Sequence, residues 1–286
     1  MRIGSTHSHL FQDPQDLDRI AESGKFAFIW MLGISPQCKC YYDNKVFNYA
    51  DDACMLETAK RYPGFIYPFR KVDYLDGPDQ IDRALEMGYK GFKAISPPLP
   101  YDDESYLPIY ERMEKYKACI VFHTGHINTP RYRDRVPGNG YNALHMSPST
   151  LLKLSNFFPD LTLVAAHCGI PWQNDLLSLS MLGCKNLYMD ISGGEEEALD
   201  RFIRANAMTP ATLFDGSQGI LADKLLYGLD CCFGYNKLHD DAFWCWDNRQ
   251  NWIRKLQEEK VPWADKLPEI FLGNAERLMA RLPQFN

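Results

Sequence analysis

The sequence predicts an α/β protein of the (β/α)8 TIM-barrel class. Short apolar runs alternate with stretches of helical character, and successive runs begin roughly 20–40 residues apart, the spacing of repeated βα units. The chain has 286 residues, and such a barrel typically has about 250. A doubly wound open sheet would show the same alternation, so the pattern alone leaves closure of the barrel open.

Each element is justified by its local pattern. The eight predicted strands are apolar runs bounded by turn or helix signals, namely Arg2–His7, Phe26–Ile34, Phe65–Phe69, Gly91–Ile95, Ala118–His123, Leu161–His167, Asn186–Ile191 and Lys224–Leu229. The predicted helices between them are Asp16–Ser23, Ala50–Arg61, Asp79–Met87, Glu104–Lys117, Pro148–Phe158, Gln173–Leu182 and Glu195–Asn206. Ser147 can cap one helix and Pro148 suits its first turn.

Composition limits the partners and the compartment. The net charge of −6 argues against nucleic acid or an anionic membrane as the main partner, because both require a basic face. The N-terminal residues lack the apolar stretch of a secretory leader. Nine scattered cysteines, an odd number, favour reduced thiols. We therefore expect a cytoplasmic protein.

The N-terminal His-Ser-His segment is the first sign of a site. In a strand, His7 and His9 point to the same side and lie about 7 Å apart along the backbone. Two ring nitrogens could then converge on one ion. A flexible N-terminus that contains the pair by chance is an equally good interpretation of this segment alone.

Residues able to bind metal lie at the ends of four predicted strands. They are His7, His9, His123, His167 and Asp230. The C-terminal strand ends of a parallel barrel share one mouth, where active sites form. A single histidine after an apolar run is usually structural, but the coincidence of five indicates a metal site. Imidazole with carboxylate suits zinc or, less selectively, manganese.

Such an ion would support hydrolysis. It can lower the pKa of bound water to about 7, giving hydroxide at neutral pH, and can polarise a carbonyl. Asp230 can bind the ion and accept the proton of the water, while His167 can act as general acid or base.

Six short motifs occur in a characteristic order over nearly the whole chain. They are HSH at His7–His9, GFK at Gly91–Lys93, FHTG at Phe122–Gly125, AHCG at Ala166–Gly169, YGLD at Tyr227–Asp230 and GNAERL at Gly273–Leu278. Together they resemble the amidohydrolase superfamily, in the branch related to aminocarboxymuconate semialdehyde decarboxylase.

The resemblance implies a ligand set for one divalent ion, zinc or alternatively manganese. The implied ligands are His7, His9, His123 and Asp230, and His167 would be the catalytic acid or base or an additional ligand. Ser5 stands where the family often has Asp, which removes a supporting carboxylate but no ligand. Lys93 has two implied roles: carboxylated and bridging two ions in binuclear relatives, or facing substrate in the single-metal branch, which we favour. A solvated Lys93 without a role is the third interpretation.

Arginines near the mouth suggest the substrate class. Arg70 ends the third predicted strand, and the RYRDR loop carries Arg131, Arg133 and Arg135. Arginine binds carboxylates with two hydrogen bonds, so a small carboxylated substrate is expected. For the loop, a solvated charge run offset by Asp134 is an equal alternative.

We interpret residues 1–286 as one domain with an aromatic-rich C-terminal extension from about residue 231. The extension holds four of the six tryptophans. It predicts a helix that covers the core and a subunit contact in a homo-oligomer. Its start could line the pocket with Phe233 and Tyr235. The remaining histidines, His126, His145 and His239, are expected on loops outside the ligand set, and Asn274 is expected to cap the last helix.

The sequence thus predicts a metal-dependent hydrolase that cleaves a C–O or C–N bond of an ester, lactone or amide through metal-bound hydroxide. Arg70 or Lys93 would hold the acid group of the substrate. A metal-dependent non-oxidative decarboxylase is the first alternative, because a Lewis acid beside a proton shuttle serves either reaction. A metal-free binding protein on the same barrel is the second.

Overall fold

A computed structural model describes residues 1–12, 14, 17–42, 45–127, 142–181, 183–192, 196–233 and 236–285. The strands are β1 (Ile3–Leu10), β2 (Phe26–Leu32), β3 (Lys39–Tyr42), β4 (Lys45–Asn48), β5 (Ile66–Lys71), β6 (Gly91–Ala94), β7 (Cys119–Phe122), β8 (Thr162–Ala165), β9 (Leu187–Asp190), β10 (Pro210–Thr212), β11 (Gln218–Ile220), β12 (Leu225–Leu226) and β13 (Cys231–Phe233). The α-helices are α1 (Leu17–Glu22), α2 (Asp52–Arg61), α3 (Asp79–Met87), α4 (Leu107–Lys115), α5 (Leu151–Phe157), α6 (Gln173–Met181), α7 (Glu196–Asn206), α8 (Asn236–Glu258) and α9 (Asn274–Arg281).

Nine strands form one parallel sheet in the order β12-β9-β8-β7-β6-β5-β2-β1-β13. The two edge strands, β12 and β13, are separated in the chain only by residues 227–230. Within that gap the Tyr227 carbonyl accepts a hydrogen bond from the Thr6 amide at 2.8 Å, and the Leu229 amide donates to the His7 carbonyl at 3.0 Å. The interrupted last strand therefore joins β9 to β1 and closes the sheet. The predicted (β/α)8 barrel is confirmed.

The core has two layers because side chains alternate along each strand. Those facing the barrel interior include Trp30, Phe69, Val121 and Val164, all fully buried, and Leu278 of α9 packs against them from one end. The opposite faces of the strands pack against the helices in a larger apolar layer. Polar side chains such as those of His7 and Lys93 lie on the same inner face, toward the C-terminal ends of β1 and β6.

The C-terminal side of β1 and β2 carries an unpredicted hairpin. Strands β3 and β4 pair in antiparallel fashion between β2 and α2. Beside them lies a small apolar group that we call the rim cluster, consisting of Phe11, Ile34, Cys38, Cys40 and Tyr49. The rim cluster reaches the mouth of the barrel, because the Tyr49 ring lies 6.1 Å from the ring of His9.

Two expectations for the C-terminal part are corrected. Asn274 does not cap α9, since its side-chain amide donates to the carbonyls of Ala222 and Leu225, each at 2.8 Å. It anchors the last helix to the strand region instead. Phe233 is fully buried in the outer apolar layer and not in the pocket. Tyr235 lies outside the described residues.

No described helix combines the length and the apolar character that crossing a membrane requires.

Candidate metal centre

Strand β1 presents His7 and His9 with their rings already oriented. The Nδ1 atom of His7 donates to Asp190 Oδ2 at 2.7 Å, and Nδ1 of His9 donates to the carbonyl of Leu32 at 2.8 Å. A carboxylate and a carbonyl both accept, so each Nδ1 carries the hydrogen. In the neutral rings the free lone pair is then on Nε2, the arrangement typical of metal-binding histidines.

Asp230 completes a three-ligand group with these histidines. Its Oδ1 atom lies 3.6 Å from His7 Nε2 and 3.5 Å from His9 Nε2. Two ligands bound tetrahedrally to zinc at 2.0–2.1 Å would be about 3.4 Å apart, so the observed separations fit one ion. The side chain is 32% exposed, which leaves a route for solvent or substrate.

The backbone around Asp230 is shaped for this approach. Asp230 has a left-handed φ of 53°, which is uncommon for a residue with a side chain. Its amide donates to the His7 carbonyl at 2.8 Å. Two residues earlier, a Cβ on Gly228 would lie 2.6 Å from His7 Cβ and 2.8 Å from Ser192 Cβ. Only glycine lets the last strand come this close to His7.

The charge of Asp230 is stabilised by its neighbours. Burial acts to raise the pKa of Asp230, but the polar contact with His9 and the nearby His7 and His167 outweigh burial and hold this pKa well below its usual range. Burial and the adjacent Lys93 lower the pKa of His7 to about 3, against the opposing effect of Asp190. At neutral pH the group therefore offers the neutral imidazole of His7 and the carboxylate of Asp230, both competent to bind a cation, and His9 Nε2 lies 3.5 Å from that carboxylate.

Asp190, at the end of β9, is a residue that sequence reasoning missed. It is fully buried, and besides His7 it accepts the amides of Ser192 at 2.9 Å and His167 at 3.1 Å. Burial acts to raise its pKa, yet the charge and hydrogen bond of His7 prevail and keep this pKa below its usual range. The sequence could have revealed Asp190, since it is an acidic residue inside the apolar run Asn186–Ile191. A carboxylate buried in such a run requires polar partners, which indicates a site.

His167 and His123 form a hydrogen-bonded pair beside the group. His167 Nε2 and His123 Nδ1 lie within hydrogen-bonding distance of each other, at 3.2 Å. The other nitrogens face backbone carbonyls: His167 Nδ1 that of Ser192 at 3.1 Å, and His123 Nε2 that of His126 at 3.2 Å. Burial, with His167 and Lys93, keeps the pKa of His123 well below its usual value. The His167 ring also lies 4.8 Å from the His7 ring, so the pair borders the ligand group.

Among the described residues, two groups place three ligand atoms within 4.8 Å of one another: His7, His9 and Asp230, and His7, His167 and Asp190. The structure thus brings together three of the four predicted metal ligands. His123 is in neither group and reaches the others through His167. Its assignment as a ligand stays a prediction.

The two predicted substrate-binding residues occupy different places. Lys93 is fully buried, and its Nζ lies 3.4 Å from His7 Nε2, so the interpretation of a solvated lysine is wrong. Burial lowers the pKa of Lys93 to about 8, although Asp190 and Asp230 act against burial. Arg70 instead faces the helices and donates to Asp52 of α2 at 3.1 Å. The structure therefore does not bring Arg70 to the cluster.

The other predicted mouth residues lie apart from the ligand groups or outside the described residues. His126 is exposed and its ring stacks on Trp172. His145 Nδ1 lies 3.3 Å from the Pro97 carbonyl. Arg131, Arg133 and Arg135 lie outside the described residues. His239 lies in α8 and not on a loop, so that expectation is wrong; its side chain is outside the description.

The profile described as amidohydrolase matches residues 43–280. This chain belongs to the amidohydrolase family. It is accordingly an enzyme of the amidohydrolase superfamily, as the six motifs predicted. A comparison with curated proteins gave no significant match.

Solved structures confirm the barrel of this amidohydrolase. An uncharacterised TIM-barrel protein from Bordetella bronchiseptica is 20% identical, covers 93% of this chain and 83% of its own, and has a TM-score of 0.62. A dihydroxybenzoic acid decarboxylase from Polaromonas sp. JS666, with bound manganese and 2-nitroresorcinol, is 15% identical over 99% and 98%, with a TM-score of 0.60. A probable 2-pyrone-4,6-dicarboxylic acid hydrolase from Acinetobacter baumannii, with citric acid bound, is 14% identical over 97% and 99%, with a TM-score of 0.59. At these identities the likeness shows the fold.

Proposed function

We propose that this amidohydrolase is a metal-dependent hydrolase that cleaves a C–O or C–N bond in an ester, lactone or amide of a small carboxylated substrate. One observation carries the proposal: the Nε2 atoms of His7 and His9 both face Asp230 Oδ1 at 3.5–3.6 Å while their Nδ1 atoms are engaged elsewhere. This arrangement supports one divalent ion held by His7, His9 and Asp230, with His123 as the further predicted ligand.

Zinc is the proposed ion, and manganese is the alternative. Two imidazole nitrogens and one carboxylate oxygen, with an open position, are the donor set of catalytic zinc sites. Manganese prefers a larger share of oxygen ligands. Bound here, the ion would supply Lewis-acid activation of a carbonyl and of water.

The protein groups have separate roles in the proposed reaction. Asp230 stays ionised and reaches solvent, so it can accept the proton of the attacking water. The His167–His123 pair can deliver a proton to the leaving group, because the facing nitrogens of the two rings lie 3.2 Å apart beside the metal group. The Lys93 ammonium lies beside His7 Nε2, where it can balance negative charge on the substrate.

Non-oxidative decarboxylation is the second candidate. The same His167–His123 pair favours it, since protonation of the carbon that loses carbon dioxide requires a proton donor at the edge of the metal group. The Polaromonas relative is named as a decarboxylase and the Acinetobacter relative as a probable hydrolase. A reducing, cytoplasmic location belongs to the proposal and is supported by nine cysteines of the described residues that form no disulfide.

A product-resolved screen tests the proposal. Protein treated with chelator and then reconstituted with zinc or manganese is assayed on lactones, amides and aromatic or unsaturated carboxylic acids, with acid release and carbon dioxide measured separately. We expect acid release without carbon dioxide, loss of activity after chelation, and loss of activity in His167→Asn. His145→Asn is the matched control and should keep activity, because its Nδ1 lies beside the Pro97 carbonyl and His145 belongs to neither ligand group among the described residues.

Two outcomes would overturn the proposal. Carbon dioxide release from a carboxylic acid would establish the decarboxylase instead. Metal content below about 0.1 ion per chain after reconstitution would favour the metal-free binding protein, because a site with three ligands should fill readily.

A further inference from the structure

The end of β5 presents two basic residues on opposite faces. Phe69 is fully buried in the barrel interior, and side chains alternate along a strand. Arg70 therefore faces the helices, where it contacts Asp52, and Lys71 faces the interior. Two consecutive residues of β5 therefore have different surroundings: Arg70 forms an ion pair at the periphery, and Lys71 faces the pocket.

Register with the next strand places Lys71 beside the metal group. In the parallel pairing of β5 with β6, Lys71 is the direct neighbour of Lys93. Paired residues of adjacent strands share a face and lie about 4.8 Å apart. Because the Lys93 ammonium is 3.4 Å from His7 Nε2, Lys71 lies on the same inner face, one strand further from the ligands.

The surroundings of Lys71 combine apolar contact with access. Lys71 is half-buried, while Cys38 of the rim cluster is buried and close enough to act on the ammonium electrostatically. Burial lowers the pKa of Lys71, and Cys38 and Asp73 act against burial. An anion bound next to this ammonium would further offset the cost of burying it. The rim cluster also contacts His9 through Tyr49.

We propose that the Lys71 ammonium binds a non-reacting carboxylate of the substrate at the β5 end of the pocket. This inference rests on the proposed function and gives the substrate class: a small organic acid whose carboxylate lies one strand away from the bond that reacts. Lys71 takes the role that the sequence suggested for Arg70.

Ligand binding tests this role without turnover. Isophthalate is titrated by calorimetry into wild-type protein and into Lys71→Met, Lys71→Arg and Arg70→Met, with neutral isophthalamide as the uncharged probe. Loss of one charge-assisted hydrogen bond should raise the Kd of Lys71→Met for isophthalate about 10- to 100-fold. Lys71→Arg should stay within about threefold of wild type, since it keeps the charge. Arg70→Met, the matched variant on the opposite face, should bind as wild type does, and isophthalamide should not distinguish the variants.

Three results would overturn the inference: isophthalate binding in Lys71→Met equal to wild type, an equal loss in Arg70→Met, or no isophthalate binding by wild type at millimolar concentration. Lys71→Gln replaces Lys71→Met if circular dichroism shows that the latter is unfolded. Metal content and hydrolysis are measured on the same preparations. If isophthalate binding depends on Lys71 but the protein neither holds metal nor hydrolyses substrate, the proposed function is wrong and the role of Lys71 stands. If the protein hydrolyses substrate but Lys71→Met binds isophthalate as wild type does, the role of Lys71 is wrong and the proposed function stands.

Discussion

The Nδ1 atom of His7 donates to Asp190 Oδ2 across the barrel at 2.7 Å. This contact joins β1, the first strand of the barrel, to β9, which is the seventh barrel strand when the hairpin strands β3 and β4 are left out. It leaves His7 Nε2 facing Asp230. The same carboxylate accepts the backbone amide of His167 at 3.1 Å. Asp190 thus positions one proposed metal ligand and the proposed proton donor together, without itself reaching the mouth.

Replacing Asp190 should weaken metal binding. Asp190→Asn keeps the shape of the side chain but loses the charge that orients His7, and such partners typically contribute 10–100-fold to metal affinity. We expect a loss of about this size in zinc affinity, measured by competition with a chromogenic chelator. Asp52→Asn, a carboxylate that pairs with Arg70 instead, is the control. Equal affinity in Asp190→Asn and wild type would contradict the role of Asp190.

The ligand assignment predicts different results for two histidines. His9 Nε2 faces Asp230, whereas both ring nitrogens of His123 face protein atoms. We expect His9→Asn to lower zinc affinity by more than about 100-fold, because a ligand contributes more than the 10–100-fold of a supporting residue. His123→Asn should retain more zinc than His9→Asn, because His7, His9 and Asp230 stay in place, and should lose activity through His167. Elemental analysis after dialysis separates the two, and metal loss in His123→Asn would establish His123 as the fourth ligand.

Gly228 should tolerate no side chain. In Gly228→Ala the new methyl would meet His7 Cβ at 2.6 Å and Ser192 Cβ at 2.8 Å, so His7 or the last strand must move. Overpacking of this kind typically costs about 1–3 kcal/mol. We expect that loss of unfolding free energy in urea, together with weakened zinc binding. Gly77→Ala is the matched control, since a Cβ there meets no atom within 4 Å. Normal zinc binding in Gly228→Ala would show that the close approach is not needed.

The unfolding free energy of the metal-free protein should decrease as the pH is lowered, because of His7. Its pKa is about 3 in the folded chain and about 6.5 when unfolded, so the unfolded chain binds the proton first. The unfolding free energy therefore decreases as pH falls below about 6.5 and continues to decrease toward pH 3. From pH 7 to pH 5 the contribution of His7 is about 2 kcal/mol.

Urea unfolding of chelator-treated protein at pH 7 and pH 5 measures this effect. The difference between the two pH values should be about 2 kcal/mol smaller in His7→Asn than in wild type, because the variant lacks the titrating group. An unchanged difference would mean that His7 is not held neutral by burial. Zinc should restore stability to wild type at pH 7 by binding the folded state.

Most of the fold was predictable because its signals are local. The apolar run 118–123 contains β7, Cys119–Phe122, and the helical pattern of 79–87 is α3, Asp79–Met87. The hairpin of β3 and β4 was not predicted, because it is built from short segments without a long apolar run and is stabilised by contacts with Phe11 and Ile34. Such long-range packing leaves no periodic pattern in the segment itself.

By itself, the amino-acid sequence determined the alternation of strands and helices, which fits a barrel, and it placed His7, His9, His123, His167 and Asp230 at strand ends. It did so because burial periodicity and ligand chemistry belong to individual residues and their neighbours.

Only the tertiary structure decided which side chains meet. The closed barrel brings Asp190 to His7, and the side-chain alternation of β5 sends Arg70 to Asp52 and Lys71 to the side of Lys93. These pairings depend on register and on the approach of strands far apart in the chain, such as the contact of Gly228 with His7. Register shifts by one residue reverse the face of every side chain, so the composition of the site follows from the packed barrel.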